Sequence, residues 1–161
     1  MKKRERSSGG ATSRFVVDTN VIVSALKTLL REHQAKEREI TSLSLLVKLI
    51  VDPSTELFGN QVLLREYQRF GEELNSDILT QILSELAAKV QVSTEVPDDA
   101  LVRCLGFFPE KNAKDVFHAT TCLVTGAVLI TNDRDFDRIR DSGLIEVWSI
   151  SEAIRKLSIQ G

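Results

Sequence analysis

Ala127-Val128-Leu129-Ile130-Thr131-Asn132-Asp133-Arg134-Asp135-Phe136 is the stretch on which the reading of the fold turns. Its first five residues form a continuous apolar and β-branched run, which reads as a strand buried on both faces. The polar residues Asn132 to Asp135 then turn the chain into a short helix that stops at Gly143. Upstream, Asn112 to Thr125 has helical spacing, and Gly126 closes it as a C-terminal stop. Helix, buried strand, helix is the repeating unit of an α/β domain with a parallel sheet.

The same alternation extends outward in both directions. Phe15-Val16-Val17 reads as a short buried strand, ended by Asp18-Thr19-Asn20, and Val21 to Leu30 is helical. Arg31 to Arg38 is highly charged and either continues that helix or loops out. Ile40 to Val51 is a second amphipathic helix closed by Asp52-Pro53. Glu56 to Asn60 is a short strand and turn. Gln61 to Glu73 and Ser76 to Lys89 are helices, with Asn75 between them. Val90 to Val96 holds a strand, and Pro97-Asp98-Asp99 opens a helix reaching Leu105. Ile145 to Ile150 is the last strand, and Ser151 caps a final helix from Glu152 to Leu157. The fold class expected is α/β, three layers, with a mostly parallel central sheet flanked by helices.

With 161 residues the chain has the size of one domain. A hydrophobic fraction of 42% and a charged fraction of 27% are those of an ordinary globular protein rather than a disordered one. Residues 1–13 are basic and then Ser/Gly-rich, which predicts a disordered basic tail ahead of a single domain over 14–161. A net charge of −2 neither requires nor excludes a nucleic-acid partner, because a polyanion needs only a local basic patch. Cys104 and Cys122 form no CxxC and have no histidine at zinc-finger spacing, so they read as buried free thiols of a reducing compartment. Met1-Lys2-Lys3-Arg4 is not followed by an apolar segment, and no run approaches the roughly 20 apolar residues that span a bilayer. A cytoplasmic protein without membrane contact is expected.

Ligands of parallel α/β sheets bind outside the carboxyl ends of the strands. Two acidic clusters fall at such ends: Asp18, and Asp133 with Asp135. Each acid has a plain structural reading. Asp18 serves as a helix cap, Asn112 and Asp115 as a cap plus an acid in a first helical turn, Asp133 as a turn residue, and Glu66 as a solvated helix residue. Gathered in one crevice, however, carboxylates repel unless a cation neutralises them, and hard oxygen donors select Mg²⁺ or Mn²⁺ over zinc. Glu66 borders the apolar stripe of Leu63, Tyr67, Phe70 and Leu74, and Asp115 flanks Val116, Ala119 and Leu123. Both therefore stand at the edge of a packed face.

The ordered set of motifs resembles the PIN domain family over roughly Phe15 to Ile150. Val16-Val17-Asp18-Thr19-Asn20-Val21 is similar to the family's opening. Leu63-Leu64-Arg65-Glu66-Tyr67 resembles the helix that carries its glutamate. Lys114-Asp115-Val116-Phe117-His118-Ala119 resembles the third acidic motif, and Leu129 to Phe136 the fourth. Asn112 stands where many relatives carry another acid. The resemblance implies a metal-dependent endoribonuclease that hydrolyses RNA phosphodiester bonds, with Asp18, Glu66, Asp115 and Asp133 as catalytic residues. Those four with Asp135 are the implied ligands of Mg²⁺ or Mn²⁺, and two ions about 3.5–4 Å apart would hold the attacking and leaving oxygens.

Thr19, Asn20, Thr131 and Asn132 are expected to support the carboxylates or touch the substrate. Lys114 is expected to grip a phosphate, since a cation at a helix start is otherwise disfavoured. The plain reading of Lys111, Lys114, Arg65, Arg134 and Arg138 is surface salt bridging. His118 is assigned no catalytic role, and Trp148, Phe107 and Phe108 are read as core. The resemblance further implies the toxin half of a toxin–antitoxin pair, an antitoxin protein as partner, and a homodimer. A non-catalytic PIN-like module that binds RNA or protein is the alternative.

Overall fold

A computed structural model describes residues 13–30, 37–94 and 96–159, with residues 27–30 and 37–40 described as backbone only. The expected tail, Ser13 excepted, and the charged stretch Arg31 to Lys36 lie outside the described residues. Five strands alternate with eight α-helices among them: β1 Ser13–Val17, α1 Thr19–Leu30, α2 Glu37–Val51, β2 Thr55–Gly59, α3 Gln61–Leu74, α4 Asp77–Lys89, β3 Val90–Val92, α5 Asp98–Leu105, α6 Ala113–Thr125, β4 Val128–Ile130, α7 Asp137–Ser142, β5 Val147–Trp148 and α8 Ile150–Lys156.

All pairings are parallel, and the strands lie in the order β3-β2-β1-β4-β5. β1 is central, which is why Phe15, Val16 and Val17 are all buried instead of alternating in and out. β1 pairs with β4 through Val17↔Ile130 and with β2 through Phe15↔Leu57. The strand order reverses between β1 and β4. A crevice therefore opens beyond their carboxyl ends, and the register puts Asp18 and Thr131 side by side at its base.

α6 crosses β1, β2 and β4, and α3 packs against α6, α1 and α4. α2 and α4 give their apolar faces to the core through Leu45, Leu46, Leu49, Leu79, Leu83 and Leu86, so these faces are not free to join two copies. Trp148 packs its ring on Phe15, and Phe108 on Phe136. Cys104 and Cys122 are free and buried, and burial pushes both thiols up. Gly126 ends α6 in the left-handed region, at φ 73°.

At Gly59 the constraint is space, because an added Cβ would stand 2.9 Å from Val90 Cγ1 and 3.2 Å from Leu63 Cδ2. Gly59→Ala is expected to destabilise the protein by about 1–3 kcal/mol, read as a lower urea midpoint at constant slope. An unchanged midpoint would mean that β3 yields freely.

Three expectations differ from the structure. The last strand is only Val147–Trp148, because the final helix starts at Ile150 and is capped by Ser149, not Ser151. Ser149 accepts from Glu152 N (3.1 Å) and Glu152 accepts from Ser149 N (3.3 Å), a reciprocal capping box. β3 stops at Val92, short of Val96. Asn112 makes no capping bond to α6; its amide reaches Asp135 instead.

Candidate carboxylate site

Thr131 holds the base of the crevice together. Its hydroxyl donates to Asp18 Oδ2 (2.7 Å) and accepts from Asn20 Nδ2 (3.1 Å) and Asp133 N (3.0 Å). One donor and two lone pairs are all it has, and all are used. Asp18 Oδ1 accepts from Thr19 N at 2.8 Å. An ordinary helix cap takes the amides two and three residues on, whereas the Asp18 side chain takes the next one. Burial pushes the Asp18 carboxyl up, and the Thr131 and Thr19 hydrogen bonds offset part of that. Asn20 Oδ1 accepts from Asn132 N (3.2 Å), and Asn132 Oδ1 accepts from Ile150 N at the start of α8 (2.9 Å). The two loops are thereby fixed to each other and to the last helix.

β4's exit and α6 bring the other acids together. Oxygens of Asp115, Asp133 and Asp135 all lie within 4.8 Å of one another. Asp133 Oδ1 accepts from Asp135 N (2.9 Å), and Asp135 Oδ2 accepts from Asn112 Nδ2 (3.0 Å). Asp115 is buried, and that burial, with repulsion from Asp133, Asp18 and Asp135, pushes its carboxyl up to about 6.

Glu66 enters from α3. Its Oε1 lies 2.9 Å from His118 Nε2 and its Oε2 lies 3.3 Å from Lys114 Nζ. Burial pushes this carboxyl up, but the His118 hydrogen bond and Lys114 outweigh it, leaving the group below its ordinary value. The next residue, Tyr67, is buried and donates its hydroxyl to the carbonyl of Val17, the residue before Asp18. Burial raises the Tyr67 hydroxyl well above its ordinary value, so it remains a donor. This bond ties the Glu66 helix to the strand end that carries Asp18.

A PIN domain family model matches residues 15–142. The chain belongs to the PIN domain family. Two solved structures share the fold. VapBC-1 from nontypeable Haemophilus influenzae has a TM-score of 0.52 at 17% identity, over 86% of this chain and 98% of that one. VapBC2 from Rickettsia felis, bound to a DNA fragment from their promoter, has a TM-score of 0.51 at 18% identity, over 84% and 98%. No curated protein sequence matches.

In this PIN domain the structure gathers Asp115, Asp133 and Asp135 most tightly. Asp18 repels Asp115 from the β1 side, and Glu66, on α3, repels Asp18 in turn. The donors suit a hard divalent cation: carboxylate oxygens in close array, with no thiolate among them. Burial first, and then repulsion from Asp133 and Asp18, hold the Asp115 carboxyl up, and a cation would relieve the repulsion. Beside Asp18 in sequence, Thr19 Oγ1 is buried with no hydrogen-bond partner among the described residues.

His118 and Asn60 were not legible as site residues in the sequence. Asn60 caps α3 by accepting Leu63 N at 2.9 Å, which turns its NH₂ toward His118 Nδ1 (3.2 Å) and Thr121 Oγ1 (3.0 Å). Thr121 spends its own hydrogen on Phe117 O (2.9 Å), so it accepts from the amide. Nδ1 of His118 therefore accepts as well, the ring hydrogen sits on Nε2, and His118 donates it to Glu66. The one available signal was spacing: Asp115 and His118 are three apart and share a helix face.

Proposed function

We propose that this PIN domain is a metal-dependent endoribonuclease that hydrolyses RNA phosphodiester bonds, with Mg²⁺ or Mn²⁺ as cofactor. The observation that carries the reading is the close array of Asp115, Asp133 and Asp135 beside a buried Asp18. Asp18, Asp115, Asp133 and Asp135 would hold the cation, and Glu66 completes the ligand set from α3. When bound, a divalent ion there supplies activation of water and neutralisation of charge on the scissile phosphate.

The chain's own groups set the geometry. Thr131 and Asn20 fix Asp18 and the Asp133 turn. Asn132 anchors the same turn to α8, and Thr19 offers its unpartnered hydroxyl. Lys114, well exposed beside Glu66, grips a substrate phosphate.

Likeness to the VapBC proteins supports placing this chain as the toxin half of a toxin–antitoxin pair, with an antitoxin protein as partner. No helix among the described residues is long and apolar enough to cross a membrane, and a cytoplasmic location is proposed on that likeness. A homodimer is proposed on the resemblance to the PIN domain family, and a monomer by light scattering at micromolar concentration would overturn it.

The test is cleavage of structured RNA by purified protein with Mn²⁺ or Mg²⁺. Cutting is expected to vanish in EDTA and in Asp18→Asn. Equal cutting by wild type and variant would place the chemistry elsewhere. No cutting together with no metal binding by calorimetry would favour a non-catalytic PIN-like module that binds RNA or protein.

A further inference from the structure

Beside the carboxylates, α3 and α6 enclose a cleft of about 260 Å³ lined by Val62, Arg65, Glu66, Arg69 and Lys114. Three of its five lining residues are cationic in a chain whose net charge is −2, so the patch is local and not a by-product of composition. Arg65 and Arg69 stand one helical turn apart, where like charges repel. Both are exposed, and neither makes an ion pair or hydrogen bond among the described residues.

Two of the nearby carboxylates are committed elsewhere, and Glu73, one turn on from Arg69, makes no ion pair with it among the described residues. Glu66 is held by His118 and Lys114, and Glu72 accepts from Gln68. The sequence-based expectation that Arg65 is a surface salt-bridge residue is thus not met among the described residues. What remains is a pair of uncommitted guanidiniums opening directly onto Glu66. A planar guanidinium fork matches phosphate oxygens bidentately. A polyanion with one phosphate at the carboxylates places its next phosphates along a neighbouring wall, and the α3 side offers a cleft in which two arginines and a lysine stand together with Glu66.

We infer that the Arg65–Arg69–Lys114 cleft holds the phosphodiester backbone of single-stranded RNA on one side of the cut; where the cut lies rests on the nuclease reading above. The experiment is binding of a fluorescein-labelled polyuridine oligonucleotide, followed by anisotropy in EDTA so that no cutting intervenes, across about 50–200 mM salt. The chains compared are wild type, Arg65→Ala/Arg69→Ala, and Arg103→Ala as an exposed control outside the cleft. Circular dichroism melting checks that the variants fold alike.

In the double variant, affinity is expected to fall about tenfold or more at low salt. The log–log salt slope is expected to shrink by about 1.4, since each lost single-strand phosphate contact removes about 0.7. The control should match wild type. Unchanged affinity and slope in the double variant would overturn the inference and leave an acidic protein segment as the candidate occupant. Wild type that binds with the expected loss in the variant, yet neither cuts RNA nor binds Mn²⁺ by calorimetry, would support the cleft and sink the nuclease reading. Wild type that does not bind would overturn the cleft.

Discussion

Asp115→Asn is expected to stabilise the metal-free protein at neutral pH while it sharply lowers cleavage. Burial first, then Asp133, Asp18 and Asp135, push the Asp115 carboxyl from 3.8 to about 6. A folded-state pKa above the unfolded value means that this group's stabilising contribution is fully present below 3.8 and is lost as pH rises through about 6. At neutral pH the folded protein therefore carries a strained carboxylate, worth at most on the order of 3 kcal/mol. Solvent at the crevice mouth screens part of this, so asparagine is expected to recover about 1–2 kcal/mol. For a chain of this length that is roughly 2–8 °C in the melting midpoint.

The substitution removes charge at nearly constant shape, and no hydrogen bond of the Asp115 side chain is lost with it among the described residues. Melting in EDTA should show wild type gaining stability from about pH 7 down to about pH 5, while the variant stays nearly flat over that window. With Mn²⁺ added at neutral pH the order should reverse, since ligand binding stabilises the protein that binds it. Cleavage should fall by about a hundredfold to a thousandfold, equivalent to roughly 2.7–4 kcal/mol of lost barrier reduction. An Asn variant that melts below wild type in EDTA would show that the Asp115 charge supports the fold, and the cation-site reading would lose its electrostatic basis.

The fold was legible where the chemistry is local. The runs at Phe15–Val17 and Ala127–Ile130 are apolar throughout because both faces of the inner parallel strands are covered, and a sequence displays that directly. Asp18 and Asp133 were locatable because each follows such a run. The sequence did not show which strands are neighbours. Parallel order follows from crossover packing, and only that order sets Val17 against Ile130 and hence Thr131 against Asp18.

Boundaries failed where two signals competed. Ile145 to Ile150 is apolar enough for a longer strand, but the Ser149–Glu152 capping box wins the last residues for α8. Asn112 reads as a cap from its position, yet its backbone enters the helix at φ −102°, ψ 41°, and its amide is spent on Asp135. Long-range polar bonds of this kind leave no periodic trace.

His118 is the site residue on which those long-range bonds converge. Fully buried, it links α6 to Glu66 on α3 and to the cap of that same helix at Asn60. His118→Leu keeps the volume but removes the donor to Glu66 and the acceptor for Asn60. The buried Asn60 amide and the half-buried Glu66 carboxylate each lose a partner, so a loss of about 1–3 kcal/mol is expected from urea unfolding. Glu66 is also freed to follow Lys114 outward, and cleavage should fall about 10- to 100-fold, in kcat more than in KM.

A structural role alone would predict the first loss but not its repair. His118→Gln carries its amide nitrogen about as far from the backbone as Nε2 and still donates to Glu66. This conservative variant is therefore expected to recover most of the cleavage, even with Asn60 left imperfectly paired. The mechanism has its own signature. In wild type, ¹⁵N NMR should find the ring hydrogen on Nε2, because the Asn60 amide is oriented by its bond to Leu63 N and occupies Nδ1. Asn60→Leu removes that constraint and should allow both tautomers. A ring hydrogen on Nδ1 in wild type, or a His118→Leu protein that cuts like wild type, would show that Glu66 is placed by α3 alone and that the histidine is a packing residue.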